Sequence, residues 1–134
     1  MKLITKDTDY AIRAISYIAR SGKPIVSVSE IEKALNLPRS FLRKTLQTLQ
    51  KGGVLTSTKG NKGGFSLDKN YKSITLVDII KIYQGDICFT DCLLKKEICP
   101  EISKCVVRKK IKIIEKMVNT ELNKITIDSI LSCK

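Results

Sequence analysis

The stretch from Pro38 to Leu67 allows few folds. Phe41, Leu42, Leu46 and Leu49 recur at helical spacing between Arg39 and Lys51, the pattern of an amphipathic helix. Gly52-Gly53 stops that helix. Val54–Thr58 and Gly64–Leu67 then read as two short strands, joined by the basic, glycine-rich turn Lys59-Gly60-Asn61-Lys62-Gly63. Helix, stop and hairpin follow each other without a linker.

The preceding residues supply a partner helix. Glu30 to Leu35 has Ile31, Ala34 and Leu35 as its expected inner face, with Ser27 and Ser29 before it. Asn36-Leu37-Pro38 is a tight turn, with Pro38 at the opening of the next helix. Upstream, Asp9 to Arg20 spaces Tyr10, Ile12, Ile15, Ile18 and Ala19 as a first helix. Thr8 or Asp7 is expected to cap it, and Ser21-Gly22-Lys23-Pro24 ends it. Helix, helix, short turn, helix and basic hairpin make a winged helix-turn-helix.

Charge points to the same use. The chain carries 25 Lys and Arg against 13 Asp and Glu, a net charge of +12, which favours an anionic partner such as nucleic acid. From Lys33 to Leu67 there are seven basic residues and no acid. In a winged helix-turn-helix the second helix of the pair enters the major groove. Here that helix offers Arg39, Ser40, Arg43, Lys44 and Gln47. Arg reads guanine bidentately and Gln reads adenine, while Lys and Ser take phosphate or base. Lys59 and Lys62 on the hairpin are expected along or inside the minor groove.

Beyond the hairpin, Leu76 to Tyr83 reads as a short helix, with Thr75 as its cap and Gly85 as its stop. A long helix is expected from about Lys104 to Leu122, where Val107, Ile111, Ile114, Val118 and Leu122 form a stripe that Val106, Ile113 and Met117 widen. Exposed, such a stripe is unfavourable in water. It is expected either to pair two copies of the chain or to pack back in part on its own domain. Ile125 to Leu131, begun by Thr126, is a short closing helix. The expected fold is mainly α with a small β-hairpin. Residues 1–86 form the DNA-binding domain, 87–104 a cysteine-rich sensor loop, and 105–134 the dimerisation helix and C-terminal segment.

Four of the five cysteines, Cys88, Cys92, Cys99 and Cys105, fall within eighteen residues; Cys133 stands apart. No apolar run has the length of a membrane span and Met1-Lys2-Leu3 does not begin a signal peptide, so a cytoplasmic protein with reduced thiols is expected. Cys92, Cys99 and Cys105 lack the paired C-x-x-C spacing of zinc ribbons. Three thiols on a loop, the last at the mouth of a helix, suit an iron–sulfur cluster with one unusual ligand. Lys95, Lys96 and Lys104 add positive charge that favours thiolates. A four-cysteine zinc site and bare redox-active thiols are the other chemistries open to the loop. Enzymatic chemistry has no support: there is no histidine, no nucleotide-binding glycine motif, and no acid pair in an evident pocket.

These motifs together resemble the Rrf2 family of bacterial winged-helix regulators, which includes IscR, NsrR and RirA. The resemblance covers nearly the whole chain. It rests on Met1-Lys2-Leu3 with Thr8-Asp9-Tyr10-Ala11-Ile12-Arg13-Ala14, on Leu37-Pro38-Arg39-Ser40-Phe41-Leu42, and on Lys51-Gly52-Gly53-Val54-Leu55. The wing Lys59-Gly60-Asn61-Lys62-Gly63-Gly64-Phe65, the cysteine triple and Thr126-Ile127-Asp128 complete it. The resemblance implies a homodimer on palindromic double-stranded DNA, with one iron–sulfur cluster per subunit, 4Fe–4S in preference to 2Fe–2S. In the IscR-like branch a histidine three residues after the third cysteine is the fourth ligand. That position is Arg108 here, so that ligand set is excluded. In the NsrR-like branch an aspartate on the partner's first helix serves, and Asp9 matches it. The resemblance thus implies Cys92, Cys99, Cys105 and Asp9 as ligands, with Cys88 as a rival fourth. A cluster with an oxygen ligand is labile, which suits sensing of nitric oxide, oxygen or iron supply. A family regulator without a cluster, controlled by a metabolite, a partner protein, zinc or thiol oxidation, is the alternative.

Overall fold

A computed structural model describes residues 2–68, 71–90 and 99–133. The elements run α1 Lys6–Ser21, α2 Val28–Leu35, α3 Arg39–Lys51, β1 Leu55–Thr58, β2 Gly64–Leu67, a single 3₁₀ turn Tyr71–Ser73, α4 Leu76–Gln84, α5 Val106–Asn123 and α6 Ile127–Ser132. Among the described residues no helix is long and apolar enough to cross a membrane.

α1 starts three residues earlier than the sequence predicts, at Lys6 with Thr5 in the cap position and no side-chain cap bond. Asp7 and Thr8 therefore lie inside the helix. Thr8 is fully buried, and its hydroxyl donates to Gln84 Oε1 at 2.7 Å while the Thr5 N–H reaches the same oxygen at 3.2 Å. A side chain 76 residues away does the work expected of a local cap. Ala11 and Ala14 are fully buried; small side chains let α1 sit close to α3 and α4, two of the helices it contacts.

Ser27 caps α2, accepting the Glu30 N–H at 3.2 Å, and the helix begins at Val28. Val28, Ile31 and Leu35 form its packed stripe. Ala34 is exposed, not part of the inner face, because the helix packs along one narrow stripe. Asn36 ends the helix in the left-handed region, φ 52°, which Asn tolerates better than most residues. α3 keeps the bounds read from the sequence and buries Leu42, Thr45, Leu46 and Leu49.

β1 and β2 pair antiparallel in the register Leu55–Leu67, Thr56–Ser66, Ser57–Phe65 and Thr58–Gly64. β1 begins one residue after Val54, whose N–H instead closes on the Leu49 carbonyl at 3.0 Å. The hairpin is docked, not free. Val26 and Phe65 exchange both backbone bonds, at 2.9 and 2.8 Å. Gly64 makes that docking possible: a Cβ there would run into the Val26 carbonyl.

α4 carries a capping box, Thr75 with Asp78, and extends one residue further than expected, to Gln84. Cys105 caps α5, which starts at Val106, not Lys104. Only Leu122 of the α5 stripe is buried; with Val118 it packs on Leu76, Val77 and Ile80 of α4. Val106, Val107, Ile113, Ile114 and Met117 are exposed. α6, capped by Thr126 with Ser129, starts at Ile127 and returns to the N-terminal half. Leu76 N–H bonds Ile125 O at 2.8 Å and Ile127 N–H bonds Ile74 O at 2.9 Å. Ile127 thereby enters the main core with Ile15, Ile31, Leu46 and Ile79.

Candidate nucleic-acid interface and cysteine loop

The docking of the hairpin creates a cleft. Its walls are one face of α3, the start of α2 and the wing, and its volume is about 390 Å³. Arg39, Arg43 and Gln47 line it, spaced four residues apart on α3 and so stacked along one face. Ser40 and Lys44 are exposed but lie about 100° further round the helix. They do not line the cleft, and Lys44 instead borders a second hollow with Asp7, Phe41 and Tyr83. Lys59 and Lys62 are exposed on the wing turn, outside the cleft lining. The seven expected contact residues thus divide into a cleft triad and four outlying side chains.

The cleft also holds groups that sequence reasoning passed over. Ser27, Ser29, Ser57, Thr58 and Asn61 line it with hydroxyls and an amide. Ser27 and Ser29 read as helix-start residues and Ser57 as a strand residue. The Val26–Phe65 bridge brings them together, and no local pattern announces that pairing. The acid-free run also needs correction in space. Glu32 lies just outside it in sequence, yet its carboxylate comes to 4.0 Å from Arg39 Nη1.

Tyr17, Lys23 and Glu30 brace the reading head from behind. The Tyr17 hydroxyl donates to Glu30 Oε1 at 3.0 Å, and Lys23 Nζ donates to the same oxygen at 2.8 Å. The Lys23 and Tyr17 hydrogen bonds hold the Glu30 pKa below its ordinary value.

In the cysteine loop, Cys92 and the lysines Lys95 and Lys96 lie outside the described residues. Cys88, Cys99 and Cys105 are free thiols. The Cys88 thiol donates to the Thr90 carbonyl at 3.0 Å. Cys99 opens a turn, with Ile102 N–H on its carbonyl at 3.0 Å. Cys105 accepts the Arg108 N–H at 3.4 Å, which places its sulfur at the N-terminal end of α5. Asp9 is on α1, half-exposed, paired with Arg13 Nε at 2.9 Å. Among the described residues no three ligating side chains gather into a metal-holding group.

The donor set still suits an anionic, sulfur-rich group. Arg108 Nη1 reaches the Ile102 carbonyl at 3.5 Å. Its Nε is buried with no acceptor among the described residues, and its backbone N–H is already on the Cys105 sulfur. A buried donor without an acceptor is unfavourable. A thiolate or sulfide acceptor near Arg108 would satisfy it, and in charge and donor type that matches an iron–sulfur group.

Comparison with known proteins follows the same lines. The Rrf2 family model, described as an iron-dependent transcriptional regulator, matches residues 4–132. A protein of Aquifex aeolicus bearing the name of an HTH-type transcriptional regulator is 40% identical over 111 residues, covering 81% of this chain and 77% of that protein. Protein aau3 of Rhizobium meliloti is 33% identical over 103 residues, 76% of this chain and 67% of its own. Among solved structures, CymR, the global cysteine regulator of B. subtilis, is similar with a TM-score of 0.76 at 23% identity, over 100% of this chain and 99% of that one. IscR of T. potens is similar with a TM-score of 0.67 at 26% identity, over 98% and 87%.

Proposed function

Because the chain belongs to the Rrf2 family of DNA-binding transcription regulators, which are not enzymes, we propose that it works as a cytoplasmic homodimer on palindromic operators, with a labile iron–sulfur cluster as its sensor. The observation that carries the DNA part is the cleft in which Arg39, Arg43 and Gln47 face the wing. α3 enters the major groove, and Arg43 and Gln47 read base edges. Ser40, Lys44, Lys59 and Lys62 take phosphates on either side and set register. Residues 1–86 are the reading domain, 87–104 the sensor loop, and 105–134 the dimerisation helix and C-terminal segment. The exposed apolar side chains of α5 support pairing, since one recognition helix buries too little surface to be selective alone.

For the sensor, Cys92, Cys99 and Cys105 are the thiolate ligands and Asp9 of the partner subunit is the fourth, with Cys88 as the rival. When bound, the cluster, 4Fe–4S in its full form, supplies a centre that nitric oxide or oxygen degrades. Cys105 sits at the start of α5, and Arg108 offsets the negative charge gathered by the loop. The Asp9–Arg13 pair is exposed and so weak; exchanging Arg13 for a metal costs Asp9 little. Anaerobic purification, reconstitution with iron and sulfide, and absorption and resonance Raman spectra test this. A brown protein with thiolate-to-iron bands is expected. A colourless, iron-free product refutes the cluster and leaves a cluster-free regulator, controlled by a metabolite, a partner protein, zinc or thiol oxidation, as the reading. Asp9→Ala with unchanged spectra and cluster lifetime refutes only the oxygen ligand.

A further inference from the structure

Three consecutive residues at the end of α4 each hold a different point of the reading head. The Ile82 side chain lies over the end of α3, so that a Cβ on Gly52 would come within 2.6 Å of its Cδ1. The Tyr83 hydroxyl donates to the Thr45 carbonyl in the middle of α3 at 2.7 Å. Gln84 Oε1 accepts from Thr8 and Thr5 at the start of α1. Thr45 stands midway in sequence between Arg43 and Gln47, so its carbonyl moves with both cleft side chains. Burial raises the Tyr83 pKa far above the phenol range, which keeps the hydroxyl a donor at any physiological pH.

The next residue leaves the helix sharply. Gly85 has φ 78° and ψ −166°, a backbone conformation essentially restricted to glycine. The chain then runs through Ile87 and Phe89 toward the cysteine loop. This segment is tied at its far end: the Phe89 N–H donates to the Glu115 carboxylate of α5 at 3.0 Å. The last turn of α4 therefore stands between α5 and the loop on one side and α3 and α1 on the other.

We propose that the last turn of α4 is a mechanical joint through which displacement of residues 85–90 resets the recognition helix, with Tyr83 as its positioning residue. The proposal rests on α3 being the DNA-reading helix, and it is independent of the cluster. A rigid helix end with two holds on α3, at Thr45 and at Gly52, transmits a tilt rather than absorbing it. The hold on α1 at Thr5 and Thr8 makes the start of α1 the fulcrum.

The test uses cluster-free, full-length protein and two probes: a duplex enriched by the wild type from a random pool, and the random pool itself. Tyr83→Phe removes one hydroxyl and is expected to lower the enriched-to-random affinity ratio about fivefold, the worth of one hydrogen bond, with random-pool binding unchanged. Gly85→Ala, which strains the exit, is expected to lower the same ratio. The double variant is expected to fall no further than the worse single variant, because both act on one joint. Should Gly85→Ala fail to fold, Gln84→Leu takes its place. A wild-type ratio in Tyr83→Phe overturns the joint. So does an equal loss on both probes, which marks a general stability role, or a loss in the double variant equal to the product of the singles. A wild type without preference for the enriched duplex overturns the DNA-reading premise and the joint with it.

Discussion

Arg43 stands at the centre of the cleft triad, between Arg39 and Gln47 on one face of α3. Its loss should therefore be felt in sequence preference more than in general attraction to DNA. Arg43→Ala is expected to cost about 1–3 kcal/mol on the preferred duplex, measured by fluorescence anisotropy, and much less on random DNA. Equal losses on both would remove its reading role. Lys59→Ala and Lys62→Ala should behave in the opposite way. Each is expected to weaken all duplexes alike and to lower the slope of log affinity against log salt by about 0.9. At this scale the chemistry of side chains was legible beforehand: capping by Thr75, cysteine at the mouth of α5, basic residues on α3. What was not legible was long-range. Thr8 looked like a cap and is a buried donor to Gln84. Arg39 looked unopposed and meets Glu32 across the turn. Five cleft hydroxyl and amide residues were hidden because strand and cap positions do not show which surface they face.

Among the elements, the wing depends on one backbone approach. Gly64→Ala would force Val26 and Phe65 apart, and overpacking of this kind typically costs about 1–3 kcal/mol. The expected outcome is a lower melting temperature and weaker DNA binding with helix content by circular dichroism unchanged. α2 and α1 are braced by Glu30, whose pKa is lowered by its bonds to Lys23 and Tyr17. A lowered carboxyl pKa means that this contribution is present above the ordinary carboxylate range and is lost as pH falls through the folded value. Glu30→Gln should therefore flatten part of the acid limb of stability, a small effect since the pair is exposed. Helices were readable because their apolar spacing is a local property, and α3 keeps its predicted bounds for that reason. The docking of the hairpin on Val26 and the return of α6 onto Ile74 are not local. They depend on backbone groups that carry no side-chain signature.

For the whole molecule, the apolar side chains that α5 exposes are the surface proposed to pair two copies of the chain. Ile113→Glu with Met117→Glu is expected to yield a monomer by analytical ultracentrifugation and to reduce operator affinity steeply, while the isolated chain keeps its helical signal. A dimer that survives both changes would place the pairing surface elsewhere. On the function proposed above, the reader and the sensor would adjoin at the end of α4: Tyr83 holds α3, Gln84 holds α1, and Phe89 is tied to α5. The central claim is that the cysteine loop governs how α3 and the wing meet DNA. The most direct measurement is the affinity of anaerobically prepared protein for its enriched duplex, taken before and after iron is stripped by nitric oxide. A change of at least about tenfold is expected, the lower range of ordinary allosteric coupling, with little change on random DNA. Identical affinities in the two states, with iron shown to be lost, would contradict it.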